Sequence, residues 1–251
     1  MRKLLVLVLS FGLFASTLFA EVKPPRGKFE RKFENATFAL YVEQNGENHF
    51  TCSATAYQKI KGGYLLLSAG HCIDGRDQLK FSVKTDVDDS LPAMPVKVVK
   101  YAFQDGYDFS ILEFDTKDKY PTIQIGNESE VAIGDKIENV SFALGVAKQF
   151  YWGYVATAIL RPNKATNSAP NLLLDHFLAD VDGAGGSSGS AIVSAKSHHI
   201  VGILVSGVSG AQIGFGIMPM SKFYSFRANP IYTDHTSTPT GYSGPGLSHG
   251  H

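Results

Sequence analysis

The sequence lacks an excess of charge of either sign. Its 23 basic and 23 acidic side chains balance over 251 residues, so the chain has no electrostatic footprint for nucleic acid or anionic membranes. With 44% apolar residues and 12% aromatics it is not a disordered chain either. A globular protein acting on a small molecule or on another protein is the better expectation.

Long hydrophobic runs are absent beyond the N-terminus. There, basic residues precede an apolar run from Leu4 to Phe14, and small or apolar residues lead to Ala20. This pattern predicts a secretory signal peptide over residues 1–20, and the alternative, an uncleaved membrane anchor, needs a longer run. We therefore expect an exported protein, secreted or periplasmic, with no membrane segment after cleavage.

Cysteine is scarce, with Cys52 and Cys72 as the only two. In an exported chain, two cysteines are most simply explained by one disulfide, because the export route is oxidising. The alternative is a metal site that adds His71. It is disfavoured because adjacent residues do not easily ligate one ion and no fourth ligand stands at a familiar spacing, so we predict no metal.

Helical periodicity is also scarce, and the best candidate is the short segment 220–227. Short runs rich in Val, Ile, Tyr and Phe, separated by Gly, Asn, Asp or Pro, instead predict an all-β fold. Periodicity alone does not choose between a sandwich and a barrel. The runs are 37–42, 64–69, 79–83, 96–101, 109–114, 136–142, 151–159, 172–178, 191–194, 200–205 and 215–218.

A glycine- and serine-rich segment, Gly183 to Ser190, lies between two of these runs. Glycines allow a backbone to turn several N–H groups toward one point, so Ser188 is a candidate nucleophile and the N–H groups of Gly186 and Ser188 a candidate oxyanion hole. The alternative is a flexible turn. The segment has no lysine of a phosphate-binding loop, so nucleotide binding is disfavoured and no cofactor is implied.

Two further segments supply a candidate base and a candidate acid. An apolar run ends at Ser-Ala-Gly-His71-Cys72, and Asp108 opens the run Phe-Ser-Ile-Leu. Taken alone, His71 would more often be structural and Asp108 a turn residue, with Asp105 as a nearby rival.

Together, the three segments occur in the order His, Asp, Ser, and they resemble the chymotrypsin-like (trypsin-fold) serine peptidases. Other serine hydrolases with the same triad use other orders. The resemblance covers roughly residues 33–226 and implies two six-stranded antiparallel β-barrels with the active site in the cleft between them. It implies His71 as general base, Asp108 as the acid that orients it and Ser188 as nucleophile, with Cys52–Cys72 as the neighbouring disulfide.

The resemblance also has finer features. Ser190 in place of a second glycine is closer to the bacterial glutamyl-endopeptidase branch than to digestive trypsins, and Gly214 to Pro219 is similar to the last strand of Deg-type domains. Ser187 stands where digestive members carry the aspartate that receives a new N-terminus, so activation by that salt bridge is not expected. No peptide-binding module follows, so a Deg-type architecture is not expected.

The residues that would select the substrate are predicted only from their positions in the sequence relative to Ser188. Counting back from the nucleophile, Asp182 falls where trypsin-like members keep the acid of the substrate pocket, and Gly207 with Gly214 or Gly216 would line its walls. The alternative is that Asp182 caps a turn. A glutamyl preference would need a histidine where this chain has Leu204.

The predicted organisation is a signal peptide at 1–20, an N-terminal barrel at 21–120 with a loosely held lead-in up to Lys32, a C-terminal barrel at 121–232 and a flexible tail at 233–251. The predicted function is a secreted or periplasmic serine endopeptidase that acts on protein or peptide substrates. The alternative is a non-catalytic binding or adhesion protein on the same fold.

Overall fold

The computed structural model describes residues 27–159, 175–207 and 215–229. The predicted signal peptide, the predicted tail and Gly214 lie outside the described residues. In chain order, the elements are α1 Lys28–Ala36, β1 Thr37–Gln44, β2 Glu47–Ile60, β3 Gly63–Ser68, β4 Phe81–Lys84, β5 Met94–Gln104, β6 Tyr107–Asp115, β7 Lys136–Ser141, β8 Gln149–Val155, β9 Phe177–Val181, β10 Ala191–Ser194, β11 Ile200–Gly207, β12 Phe215–Pro219 and α2 Met220–Ala228.

The strands form two closed antiparallel barrels of six strands each, with the orders β1-β2-β3-β6-β5-β4 and β10-β11-β12-β9-β8-β7. Pairing of β1 with β4 closes the first barrel, and pairing of β7 with β10 closes the second. Closure leaves no unpaired sheet edge. The predicted all-β fold of two six-stranded barrels is confirmed.

The strand β2 is absent from the pattern-based prediction. Every residue from Cys52 to Tyr57 is buried. This stretch therefore lacks the alternation of buried apolar and exposed polar residues that marks a strand with one face in water. Small and polar side chains occupy much of this stretch, because β2 contacts the second barrel as well as its own. A search for alternation therefore fails at the strand that lies between the barrels.

For residues 28–32, helix α1 corrects the prediction of a loosely held lead-in, whereas residues 21–26 lie outside the described residues. Phe29 and Phe33 are four residues apart and lie on one face of the helix. Phe29 stacks on His198 with ring centroids 3.9 Å apart, and the fully buried Phe33 meets the edge of Phe150. The helix precedes the first barrel in sequence but packs against the second, and such distant contacts cannot be read from a charged nine-residue segment.

Helix α2 makes the opposite connection, since it follows the second barrel and packs on the first. Phe223 lies against Tyr57 and Phe109, and Phe226 stacks on Phe109. Lys100 of β5 donates to the Arg227 carbonyl at 3.1 Å and also to that of Asn229. A cation at a helix C-terminus is favourable because the last carbonyls have no partner within the helix.

Both helices have nine residues. In the described part of the chain, no helix is long and apolar enough to cross a membrane.

Replacement of Phe33 by alanine should lower the free energy of unfolding by about 3 to 5 kcal/mol, because it leaves a cavity under a fully buried ring. Urea unfolding of the Phe33→Ala variant measures this. An Ile133→Ala control, at a side chain that is 65% exposed, should change it by about 0.5 kcal/mol or less. Equal midpoints for Phe33→Ala and wild type would contradict the packing of α1.

Candidate active site

His71 and Asp108 form a hydrogen-bonded pair in the first barrel. His71 follows the end of β3, and Asp108 is the second residue of β6, the strand that pairs with β3. The His71 Nδ1 lies 2.8 Å from Asp108 Oδ2, and the His71 backbone N–H donates to Asp108 Oδ1 at 2.9 Å. This double contact fixes the ring, leaves Nε2 as its free nitrogen, and buries the carboxylate to 9% exposure.

Asp105, the rival of Asp108, lies in the turn between β5 and β6 with φ 56°. On the same hairpin, Phe103 meets the His71 ring edge to face at 5.7 Å and is 46% exposed. Phe103 therefore covers one side of the imidazole and leaves an apolar surface next to it.

Ser188 comes from the second barrel, in the loop between β9 and β10, and this loop docks on the first barrel. The Ser53 N–H of β2 donates to the Ser188 carbonyl at 2.9 Å. Gly189, with φ +80°, approaches so closely that an added Cβ would lie 2.6 Å from the Ser53 carbonyl oxygen and 2.7 Å from the Ala69 nitrogen. Only glycine fits there, and the half-buried Ser188 is thereby held against the chain that leads to His71.

Among the described residues, no hydrogen bond joins Ser188 Oγ to His71 Nε2. Hydrogen bonds between catalytic groups are often long without substrate and shorten in the complex. The structure thus brings His71 and Asp108 into direct contact and brings Ser188 to the same loop junction through its backbone.

A disulfide joins Cys52 to Cys72, with a Cα–Cα distance of 6.3 Å. It links the residue before Ser53 to the residue after His71. The predicted pairing is confirmed. Both sulfurs and a nitrogen of His71 lie within 4.8 Å of one another, but a metal site would need the two thiolates that the disulfide consumes.

The carbonyl groups of the two peptide units that flank Gly186 both accept hydrogen bonds. The Gly185 carbonyl accepts from the Leu144 N–H at 2.6 Å, and the Gly186 carbonyl accepts from Ser53 Oγ at 2.8 Å. In a trans peptide the N–H points opposite to the carbonyl, so the Gly186 N–H faces away from Leu144. Within the described residues, neither this N–H nor that of Ser188 has a protein acceptor, and two such donors in one turn can bind an oxyanion.

Ser187 is fully buried and stabilises the turn that contains it through hydrogen bonds. Its hydroxyl lies 3.1 Å from that of Ser141 and accepts from the Ala184 N–H at 3.2 Å. Its carbonyl accepts from the hydroxyl of Ser190, which in turn accepts from the Asn139 amide at 2.7 Å. Neutral hydrogen bonds therefore occupy the position at which the resemblance places a charged aspartate in digestive enzymes.

The residues predicted to form a substrate pocket differ in their exposure. Asp182 is exposed and lies near Tyr151, where burial first and the charge of Asp182 second raise the pKa of the phenol. Gly207 is exposed at the end of β11, and Gly216 is buried in β12, opposite Ser206. An exposed carboxylate is strongly screened by water.

Phe215, which is opposite Gly207, takes up the space that these glycines leave. An added Cβ at Gly183 would lie 3.2 Å from the Phe215 ring, and one at Gly207 would lie 3.1 Å from it. Leu204 also reaches within 3.3 Å of the Gly183 position. The Phe215 ring therefore packs between Gly183 and Gly207, and Gly183 lies in the loop that leads to Ser188.

A family model for the trypsin-like peptidase domain matches residues 29–203, which contain His71, Asp108 and Ser188. The chain belongs to this family. No curated protein matches the sequence significantly.

The peptidase domain resembles solved structures of HtrA-type proteases. It is 20% identical to the HtrA-type protease AlgW with a tripeptide, with a TM-score of 0.60 over 80% of this chain and 62% of that chain. It is 15% identical to Deg5, with a TM-score of 0.59 over 78% of this chain and 89% of that chain. The chain thus spans about three fifths of the length of AlgW, and at these identities the likeness shows the fold.

Sequence reasoning missed several residues that the site of this peptidase domain contains. Ser53, Phe103 and Phe215 make contacts between segments far apart in the chain, and none stands in a recognisable motif. The one signal available was position: Ser53 follows Cys52, which the predicted disulfide places next to His71.

Removal of the disulfide of this peptidase domain should lower the free energy of unfolding by about 3 kcal/mol, because the bridge closes a loop across 20 residues. The measurement is urea unfolding of the Cys52→Ala/Cys72→Ala double variant beside the oxidised wild type. Finding two free thiols in the native protein, or equal unfolding midpoints, would refute the expectation.

Proposed function

We propose that this chain is an exported serine endopeptidase that acts through Ser188, His71 and Asp108. The observation that carries the proposal is the junction of the two barrels, where a Ser188 loop with two N–H groups available to a ligand docks beside a hydrogen-bonded His71–Asp108 pair. The disulfide supports export, because disulfides persist in oxidising compartments. The bound peptides of the AlgW structures support a peptide substrate.

In this mechanism, Asp108 holds the Nδ1–H tautomer of His71, so Nε2 takes the proton of Ser188 as its oxygen attacks the peptide carbonyl. The oxyanion that forms is bound by the N–H groups of Gly186 and Ser188. His71 then gives the proton to the leaving amine, and water repeats the cycle on the acyl-enzyme. Asp108 stabilises the imidazolium during both steps.

Covalent labelling by a fluorophosphonate tests this function. Wild type should gain one adduct, read by intact mass, whereas Ser188→Ala and His71→Ala should gain none and should lose peptide hydrolysis by about 10⁴-fold or more. Ser129→Ala, at an exposed serine away from the site, is the control and should label like wild type. Absence of labelling in folded wild type would favour a non-catalytic binding protein.

We further propose that the substrate residue before the scissile bond is small and uncharged. Phe215 and Leu204 lie within 3.3 Å of a Cβ added at Gly183, so we expect an apolar and shallow pocket, and the exposed Asp182 provides no buried partner for Arg or Lys. Leu204 also offers no positive charge to a glutamyl side chain, so the resemblance to the glutamyl-endopeptidase branch gains no support from this pocket.

Enlarging the pocket should change this preference. The Phe215→Ala variant should accept a Leu or Phe residue at that position at least about 10-fold better, relative to Ala, than wild type does, because each buried methylene is worth about 1 kcal/mol or more. A peptide library that varies this one residue measures the ratio. An unchanged ratio, or a wild-type preference for Arg, would contradict the role of Phe215.

A further inference from the structure

We propose that Lys148 is a positioning residue for the oxyanion hole, because it fastens the loop Phe142–Lys148 to helix α1. Through this loop, the N-terminal helix would orient the peptide group that presents the Gly186 N–H. The inference rests on the proposed function, since it assigns the role of an oxyanion donor to that N–H.

Lys148 is attached to the C-terminal end of α1. Its Nζ donates to the Glu34 carbonyl at 2.8 Å, and the last turn of α1 has no basic residue of its own. The ammonium therefore shares this carbonyl with the Thr37 N–H that ends the helix, and it lies at the negative end of the helix dipole. It also lies 5.5 Å from the centre of the Phe142 ring, at the other end of the same loop.

The opposite side of the loop holds the oxyanion turn at two points. The Leu144 N–H binds the Gly185 carbonyl, and the Phe142 N–H donates at 3.0 Å to Ser53 Oγ, the same hydroxyl that binds the Gly186 carbonyl. The loop thus acts on both carbonyls that define the orientation of Gly186.

The conformation of this loop is not one that its own side chains favour. Leu144 has φ 58°, in the left-handed region, and its side chain is 72% exposed. A non-glycine residue in that region is held there by its surroundings. The burial of Leu144 does not supply the restraint. The hydrogen bond from the Leu144 N–H to the Gly185 carbonyl supplies part of it, together with the contacts at the two ends of the loop, at Phe142 and Lys148.

Helix α1 is a firm anchor for Lys148 because it is itself docked on the second barrel. The stack of Phe29 on His198 and the burial of Phe33 against Phe150 fix the helix on the barrel to which the loop belongs. The neutral hydrogen bonds of Ser187 and Ser190 stabilise this turn on one side, and α1 with Lys148 adds a second restraint through the loop that contacts the Gly185 and Gly186 carbonyls.

Loss of the Lys148 proton should affect activity and stability in opposite directions. Burial lowers the pKa of Lys148 from its ordinary 10.5 to about 8, and Asp86, the charged group that acts on it, opposes the shift. Asp86 also accepts from the Lys148 N–H at 3.3 Å. The unfolded chain then binds this proton more tightly than the folded chain, so stability rises with pH between about 8 and 10.5. In the folded chain, the charged contact with α1 is lost as pH rises through about 8.

The test compares Lys148→Met with Lys148→Arg in the full processed chain. We expect Lys148→Met to lower kcat for peptide hydrolysis by about 10-fold to 100-fold with KM within about twofold, because an oxyanion donor acts on the transition state. A peptide aldehyde, which forms a tetrahedral adduct, should bind more weakly by the same factor. The Met variant should be no less stable than wild type at pH 7, and Lys148→Arg should recover most of kcat.

The matched control is Lys136→Met, which removes another ammonium that lies over an aromatic ring, 5.0 Å from the centre of Trp152. The kcat of this control should not change.

A pH profile gives a second test. Wild-type kcat should fall as pH rises through about 8, whereas the kcat of Lys148→Arg should stay level. This comparison holds even where the Met variant does not fold. An unchanged kcat in folded Lys148→Met, or identical pH profiles for wild type and Lys148→Arg, overturns the inference. Failure of wild type to label at Ser188 would instead overturn the proposed function.

Discussion

The two barrels meet at the candidate site through Ser53, and the other features of the site depend on that contact. Its N–H binds the Ser188 carbonyl, and its hydroxyl binds the Gly186 carbonyl. One residue of β2 thereby fixes the backbone on both sides of Ser187. Cys52 then ties the same strand to Cys72, next to His71. The relative position of Ser188 and His71 is therefore set by a short covalent and hydrogen-bonded path through β2.

The two helices hold the barrels together in a reciprocal way. Helix α1 packs on the second barrel and α2 on the first, and in each case a lysine of the barrel that receives the helix binds the carbonyls at its C-terminal end: Lys148 for α1 and Lys100 for α2. A cation at the C-terminal end of a helix is favourable because the helix dipole is negative there. Among the described residues, the largest apolar cluster includes residues of both barrels, beside a separate cluster within the second barrel.

Buried hydroxyl groups form hydrogen bonds that stabilise the loop of Ser188. Ser141, Ser187 and Ser190 form a chain of hydrogen bonds that ends at the amide of Asn139. Such a network favours one conformation of the turn, although the Asn139 Oδ1 of the same amide has no partner among the described residues. It also keeps charge away from the loop, in contrast to the ion pair that digestive relatives use.

The sequence by itself determined the fold class, the order of His71, Asp108 and Ser188 and the pairing of the two cysteines, because these depend on local periodicity, on short motifs and on a count. It did not determine β2, helix α1, the covering of His71 by Phe103 or the closed space around Phe215. Those features arise where segments far apart in the chain meet, and the energy of a packed contact is a property of both partners. Only the tertiary structure decided which side chains would face each other there.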